Sequence, residues 1–476
     1  MKSCRLYLIL LLLLCSVSMV NLLVDHTLAS TLVETDHSIW YVAVTATIGG
    51  DGSAEKPFNR IQDGIDAAYA GDIVQVTAGT YYENITMKSG VEILGMGADT
   101  TIIDGGGNGS VVIANNVNSE TKLEGFTITN GSGTIVSSLT CGGGAYLAYS
   151  NPIISKCRFS GNYADHAGGG MCIYESAPVL RECVFVDNQA RVGGGLSNIS
   201  SRPIVTECHF SQNSADYGGG MIEIGGVTLV HSSWFYRNTA DYGAGICSTA
   251  AFPTVANCLF LGNSADYGGG VYCTSASDAT VINCSFSENT ALQGEALACD
   301  SLDELDSNTV EIINSILWDG GDEVWNNDSS MVIVTYSDVQ GGYTGEGNIN
   351  KDPLFNDPAN LDLHLGAPSP CIDAGNNSGV PPELIQDFDG DNRIIDGNND
   401  EIATVDMGAD EFISADVPGD ANGDGTIDGQ DLIIISKIVL GIEPATRLAD
   451  CNLDQTIDGQ DLICTRKKIL GIGTQR

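Results

Sequence analysis

Asn188-Gln189-Ala190-Arg191-Val192-Gly193-Gly194-Gly195 returns as Asn213-Ser214-Ala215-Asp216-Tyr217-Gly218-Gly219-Gly220 and as Asn238-Thr239-Ala240-Asp241-Tyr242-Gly243-Ala244-Gly245. The interval is 25 residues each time, and Gly168-Gly169-Gly170 and Gly268-Gly269-Gly270 extend the series at the same spacing. Gly142-Gly143-Gly144 precedes it by 26, and Gln293-Gly294-Glu295 is a decayed successor. Ahead of each Asn stands Cys-x-Phe: Cys157/Phe159, Cys183/Phe185, Cys208/Phe210, Cys258/Phe260 and Cys284/Phe286, with Ser233/Phe235 once in its place. A fixed period of this length means stacked structural units. Each unit holds short β-rich runs such as Val179–Phe185, punctuated by Gly and Asn, with no stretch long enough for a helix. The reading is a parallel β-helix with one turn per unit, in which equivalent residues stack about 4.8 Å apart. Cys and Phe are two residues apart and share a face, the interior. The Asn series predicts a ladder of side-chain amides. The glycines mark positive φ or close approach of coils.

This pattern resembles the right-handed parallel β-helices of the pectin-lyase-like superfamily. The resemblance implies the handedness and a polysaccharide as ligand or substrate. Residues 38–413 are assigned to this domain, with an N-terminal cap over 38–76, regular coils over 141–294, and irregular coils with a C-terminal cap over 300–413. In the cap, Ile39–Val44 reads as a strand and Pro57–Ala70 as a helix with Phe58, Ile61, Ile65 and Ala68 on one face. Gly79-Thr80-Tyr81-Tyr82-Glu83 matches one motif of pectin methylesterases, but the remaining blocks of that family do not follow. Neither the Gly-His-Gly of polygalacturonases nor the Arg-x-Pro-x-x-Arg of pectate lyases is present. Ser369–Gly375 and Val405–Glu411 resemble the ends of extracellular β-helices.

The chain has 61 Asp and Glu against 20 Lys and Arg among 476 residues, a formal charge of −41. That argues against nucleic acid or an anionic membrane as partner. Residues 1–29 read as a secretory signal: Lys2 and Arg5, an apolar Leu6–Leu14, then Thr27-Leu28-Ala29 as a cleavage site. An uncleaved anchor is the alternative. Setting aside Cys4 and Cys15, 13 of the 15 cysteines remain. Most stand at repeat positions, including a second rough series at 247, 273 and 299, and read as buried thiols, with bridging between neighbouring coils left open.

Residues 416–476 carry the sharpest chemistry. Asp420, Asn422, Asp424, Thr426 through its carbonyl, Asp428 and Asp431 occupy positions 1, 3, 5, 7, 9 and 12 of a calcium loop. Asp450, Asn452, Asp454, Thr456, Asp458 and Asp461 repeat it 30 residues later, with Gln455 in place of the turn glycine. Four clustered carboxylates in each loop repel one another without a divalent cation, so folding is expected to be calcium-coupled, with two Ca2+ bound. An apolar helix follows each loop, Leu432–Leu440 and Leu462–Leu470. Paired loop-helix units with Asp at position 12 resemble a type I dockerin. That resemblance implies a cohesin partner and maps the contact positions to Gly429, Gln430, Ser436 and Lys437, and to Gly459, Gln460, Arg466 and Lys467. Gly-Gln stands in both halves where better-known dockerins carry Ser-Thr.

On the solenoid, residues flanking each inward Cys point outward. Lys156, Arg158, Glu182, Glu207 and His209 gather on three adjacent coils beside Trp234. Carboxylates about 5 Å apart suit a retaining glycosidase, and Lys or Arg suits a lyase base. The same residues also fit a solvated sheet face with cross-strand ion pairs, Lys156 against Glu182. A second column, Asp165/His166, Asp216/Tyr217, Asp241/Tyr242 and Asp266/Tyr267, fits sugar rings, calcium or the lining of a turn. Asp387–Asn392 alternates carboxylates and reads as a calcium loop or a polar turn. The combined expectation is a secreted, calcium-binding β-helix that degrades polysaccharide as hydrolase or lyase, tethered through its dockerin. The rival is a non-catalytic surface protein whose helix binds glycan or protein.

Overall fold

A computed structural model describes residues 37–300, 307–327, 329–398, 402–413, 419, 421, 427–442, 449, 451–452 and 456–470. The expected signal segment, residues 1–29, lies outside the described residues. The described chain divides into two compact units. One runs to Val281 and adds 286–312 and 317–333; the other comprises 282–285, 313–316 and the chain from Val334 onward.

Within the first unit the 25-residue repeat is one coil of a parallel β-helix. A typical coil has three short strands, Val179–Arg181, Val184–Val186 and Leu196–Ile199. Each pairs in parallel with its equivalent one coil on, as Phe185 does with Phe210 and Leu196 with Met221. The strands assemble into three parallel sheets of 12, 10 and 11 strands. The side chains that repeat are the ones inside. Phe159, Phe185, Phe210, Phe235, Phe260 and Phe286 are buried and stacked, with ring centroids 4.5–4.9 Å apart and planes within 8°. Burying each ring contributes about 2–3 kcal/mol, and each stacked pair about 1 kcal/mol more.

The amide ladder forms as the sequence predicts. Asn188 donates its backbone N–H and its Nδ2 to Asn213 Oδ1, at 3.1 and 3.0 Å. Its Nδ2 also reaches the Phe159 carbonyl at 2.9 Å. The pattern repeats through Asn213, Asn238 and Asn263 to Asn289. Each amide thus satisfies backbone groups that a buried turn would otherwise leave unpaired. The first glycine of each cluster sits at positive φ, 63° at Gly168 and 68° at Gly218. A Cβ on Gly170, the third of its cluster, would run into the carbonyl of Gly195 on the next coil.

Cys157, Cys183, Cys208, Cys258 and Cys284 are buried free thiols, as the ladder implied. The second cysteine series needs correction. Cys273 pairs with Cys299, but Cys247 pairs with Tyr272 and Ser248 with Cys273. Cys247 therefore stands one residue out of step, on the opposite face of the strand.

The predicted N-terminal helix is shorter than its apolar pattern, Ile61–Ala67. Ile39–Val42 already pairs in parallel with Ile73–Val76, so this segment forms coil as well as cap. Glu83 accepts the N–H of Ile61 at 2.7 Å and of Gln62 at 3.2 Å. The esterase-like Gly79–Glu83 run thus ends on a carboxylate that caps a helix N-terminus, where backbone donors lack partners.

In the second unit, Phe355–Asp357 and Asp362–Leu365 form an antiparallel pair. Arg393 is buried and forms an ion pair with Glu411 at 3.3 Å, while Glu411 accepts the N–H of Asp406 at 3.0 Å. The Val405–Glu411 run is therefore built around an internal polar network. Asp387 Oδ1 accepts the N–H groups of Asp389, Gly390 and Asp391, each at 2.9 Å, so this stretch is a polar turn closed on itself.

Candidate functional site

The five candidate residues of the solenoid occupy one corner of the coil. Lys156, Glu182 and Glu207 lie between the first and second strand of successive coils, with φ of 52°, 51° and 53°. Ser232, Asn257 and Asn283 continue the row at 49–50°. The left-handed backbone turns the chain from one sheet to the next; it places Lys156, Glu182 and Glu207 in solvent, whereas Asn257 and Asn283 are buried. Arg158 and His209 begin the adjoining strands, in register with Val184 and Trp234. The sequence-predicted residues are thus brought together along about three coils.

Their pairings differ in part from expectation. The ion pair on this edge joins Arg181 to Glu207 at 4.0 Å. Lys156 instead acts on Glu124, whose pKa is lowered first by a hydrogen bond from Lys122 and also by the Lys156 charge. His209 stacks on Trp234, with centroids 5.6 Å apart and planes 8° from parallel. Desolvation by its surroundings lowers the imidazole pKa, so His209 is neutral at physiological pH.

The tyrosine column turns inward on itself. Tyr217 stacks on Tyr242 at 4.8 Å and Tyr242 on Tyr267 at 5.3 Å. All three pack against a buried cluster that includes Ile222, Cys247 and Tyr272. Their faces pack against one another and against this cluster, and all three remain partly exposed. Asp241 beside them has a raised pKa, from burial and then from the Asp216 and Asp266 charges above and below it.

The C-terminal loops are described in part. Asp420, Asn422, Asp424, Thr426, Asp450 and Asp454 lie outside the described residues. Asp428, Asp431, Asn452, Thr456, Asp458 and Asp461 lie within them. Helices run from Gly429 to Val439 and from Gly459 to Ile469. Asp428 caps the first, accepting from Gln430 N–H at 2.6 Å, while its own N–H donates to Asp431 Oδ2 at 2.7 Å. Asp458 and Asp461 reproduce both bonds at 2.6 and 2.8 Å. Asn452 N–H also donates to Asp461 Oδ1, at 3.2 Å.

Asp431 and Asp461 are fully buried. A buried carboxylate folded back over its own loop is what the last ligand of a calcium loop requires, and the donor set is all oxygen. The residues therefore fit Ca2+. Gly429, Gln430, Gly459, Gln460, Arg466 and Lys467 are exposed, and Ser436 and Lys437 are half-buried. Ala421, Ile435 and Ala449 are buried together, with Ile434, Ile438, Ile457 and Leu462 against them.

Residues 418–473 match the type I dockerin domain, and residues 79–240 match the right-handed β-helix region. The chain joins a right-handed parallel β-helix to a type I dockerin domain. Type I dockerin domains bind calcium. Residues 257–274 of this dockerin-bearing β-helix also match the repeat of Chlamydia polymorphic membrane proteins. Among solved structures, pectate lyase Pel9A is 13% identical, with 79% of this chain covering 97% of that one at a TM-score of 0.51. The pectin methylesterase of carrot is 12% identical over 71% of this chain and 99% of that one, at 0.34. The enzymatically active domain of tailspike protein 2 from bacteriophage CBA120 is 13% identical, over 65% and 49%, at 0.43. At such identities the likeness is one of fold. No curated protein matches. Among the described residues no helix is long and apolar enough to cross a membrane.

Two features escaped the sequence. Cys451 and Cys464 form a disulfide with Cα atoms 5.8 Å apart, tying the second calcium loop to its helix. Both cysteines stand off the solenoid ladders, which was the available signal. The second is a cluster around His364, whose members are separated by up to 46 residues in sequence and carry no shared motif.

Proposed function

We propose that the protein is a secreted component of a scaffolded extracellular complex, docked through its C-terminal module and acting on polysaccharide with its β-helix. The duplicated calcium loop carries this reading. Each half pairs an N-terminal capping box with a buried twelfth-position aspartate and leaves its Gly-Gln pair exposed. Calcium would neutralise each loop, fix both helices and present Gly429, Gln430, Ser436 and Lys437, or their counterparts Gly459, Gln460, Arg466 and Lys467, to a cohesin.

On the solenoid the working surface would be the corner of Lys156, Arg158, Glu182, Glu207 and His209. Glu182 and Glu207 stand at equivalent positions one coil apart, so their backbones are separated by about 4.8 Å. That spacing suits a nucleophile with an acid-base partner. In the lyase version Lys156 or Arg158 takes the proton. With −41 overall, a neutral glycan is the favoured substrate, or an acidic one bridged by calcium.

The Arg181–Glu207 ion pair supports a second reading, in which this corner is a glycan- or protein-binding surface without turnover. One experiment separates them. The calcium-loaded full chain is captured on immobilised cohesins and assayed on a panel of neutral and acidic glycans. Turnover abolished by Glu182→Gln or Glu207→Gln supports catalysis at the corner; glycan retention without product supports the second reading. Absence of calcium-dependent cohesin capture overturns the docking role.

A further inference from the structure

His364, Asp389 and Asp410 converge from three separate segments of the second unit, their ligand atoms all within 4.8 Å of one another. His364 projects from the Asp362–Leu365 strand. Asp389 lies in the turn closed by Asp387, and Asp410 sits beside the Arg393–Glu411 pair. Each is therefore held by structure that does not depend on the others. The three line an open cavity of about 560 Å³, together with Asn356, Asp391 and Phe412.

The imidazole is oriented from behind. Asp362 Oδ1 lies 2.5 Å from Nδ1, and the same carboxylate oxygen accepts the His364 backbone N–H at 3.1 Å. Nε2 faces forward, 2.6 Å from Asp389 Oδ2 and 3.9 Å from Asp410 Oδ1. A carboxylate on one ring nitrogen that leaves the other aimed at a cluster of ligands is the outer support of a metal-bound histidine. Charge points the same way. Asp362, Asp389 and Asp410 surround one imidazole, with Asp391 lining the same cavity, while Arg393 is engaged with Glu411.

We propose that His364 Nε2, Asp389 and Asp410 form a site for a divalent transition-metal ion of the zinc class, with Asp362 as its outer carboxylate. One nitrogen with two carboxylates suits zinc, whereas calcium takes oxygen ligands alone. Three protein ligands leave a coordination position open toward the cavity.

The test uses the full chain with calcium in saturating excess, so that the C-terminal loops are occupied, and titrates zinc by calorimetry. One zinc site is expected. His364→Ala should weaken it at least 100-fold and Asp362→Asn by 10–100-fold, the range known for outer-shell carboxylates. Cobalt in place of zinc should give visible absorption that His364→Ala abolishes. If His364→Ala does not fold, Asp389→Asn at an exposed position carries the same expectation. No zinc binding in the presence of calcium overturns the proposal. So does zinc binding of unchanged affinity in these variants, which would mark diffuse attachment to an acidic surface.

Discussion

Asp319 Oδ1 accepts both the backbone N–H of Asn289 at 2.8 Å and its side-chain amide at 2.9 Å, closing the asparagine ladder with a buried carboxyl. Its second oxygen is turned to Glu323, whose Oε1 accepts the N–H groups of Asp319, Gly320 and Gly321. Burial raises the pKa of both acids, and the Glu323 charge raises that of Asp319 further, so the folded pair holds a proton more tightly than the unfolded chain does. This contribution is fully present below the unfolded pKa and is lost as pH rises. Asp319→Asn keeps the acceptor and supplies a permanent donor. Denaturant unfolding from pH 5 to 9 should show a flatter stability profile for Asp319→Asn than for the parent; an unchanged slope would argue against the shared proton.

Glu223 lies inside the solenoid, hydrogen-bonded by Asn198 and by Thr228, and burial pushes its pKa up to about 8. Between about pH 4.3, where the unfolded side chain titrates, and about pH 8 the parent loses stability at up to ~1.4 kcal/mol per pH unit. Glu223→Gln removes that term. The difference between parent and variant should grow with pH across this window and level off above it, as read from urea midpoints in a pH series.

Removing one rung tests the ladder. Asn213→Ala deprives Asn188 of its acceptor and leaves the Phe185 carbonyl without the amide that reaches it at 2.9 Å. Each buried group left unpaired costs about 1–3 kcal/mol, so a loss of about 3–5 kcal/mol is expected in equilibrium unfolding. Hydrogen exchange should accelerate most at the amides of Asn188 and its neighbouring coils.

Phe210→Ala removes a ring stacked on both sides, 4.8 Å from Phe185 and 4.9 Å from Phe235. The cavity should cost about 3–5 kcal/mol. Because each coil contacts mainly its neighbours, local opening around residues 185–235 should appear at lower denaturant than elsewhere.

Cys451–Cys464 closes a short loop around Asp458 and Asp461, the last candidate ligands of the second loop. A crosslink of that length is worth about 3 kcal/mol. Calcium titrated into the reduced chain, or into Cys464→Ser, should show one site weakened and the other unchanged. Equal weakening of both would mean that the two loops fold as one unit.

Most of the solenoid was legible because its repeat is strict. A residue that must stack on its equivalent one coil away is constrained to keep its identity, so Phe159 to Phe286 and Asn162 to Asn289 announce interior and ladder directly. The two loop-helix units of the C-terminal module were legible for the same reason: Asp428 and Asp431, and their counterparts Asp458 and Asp461, are close in sequence and recur at a fixed spacing. Cys247 was misread because a period tolerates a one-residue offset, while a strand face does not.

The sequence by itself determined the stack, its inward face, the amide ladder and the paired loop-helix units, since each is set by contacts between residues at fixed short spacing. The tertiary structure decided the rest. It placed Lys156, Glu182 and Glu207 on a left-handed corner and Glu83 on a helix N-terminus. It turned the tyrosine column against a buried cluster and brought His364, Asp389 and Asp410 to one cavity. Those arrangements depend on how loops of unequal length return to the coil, and no local pattern of side chains encodes that path.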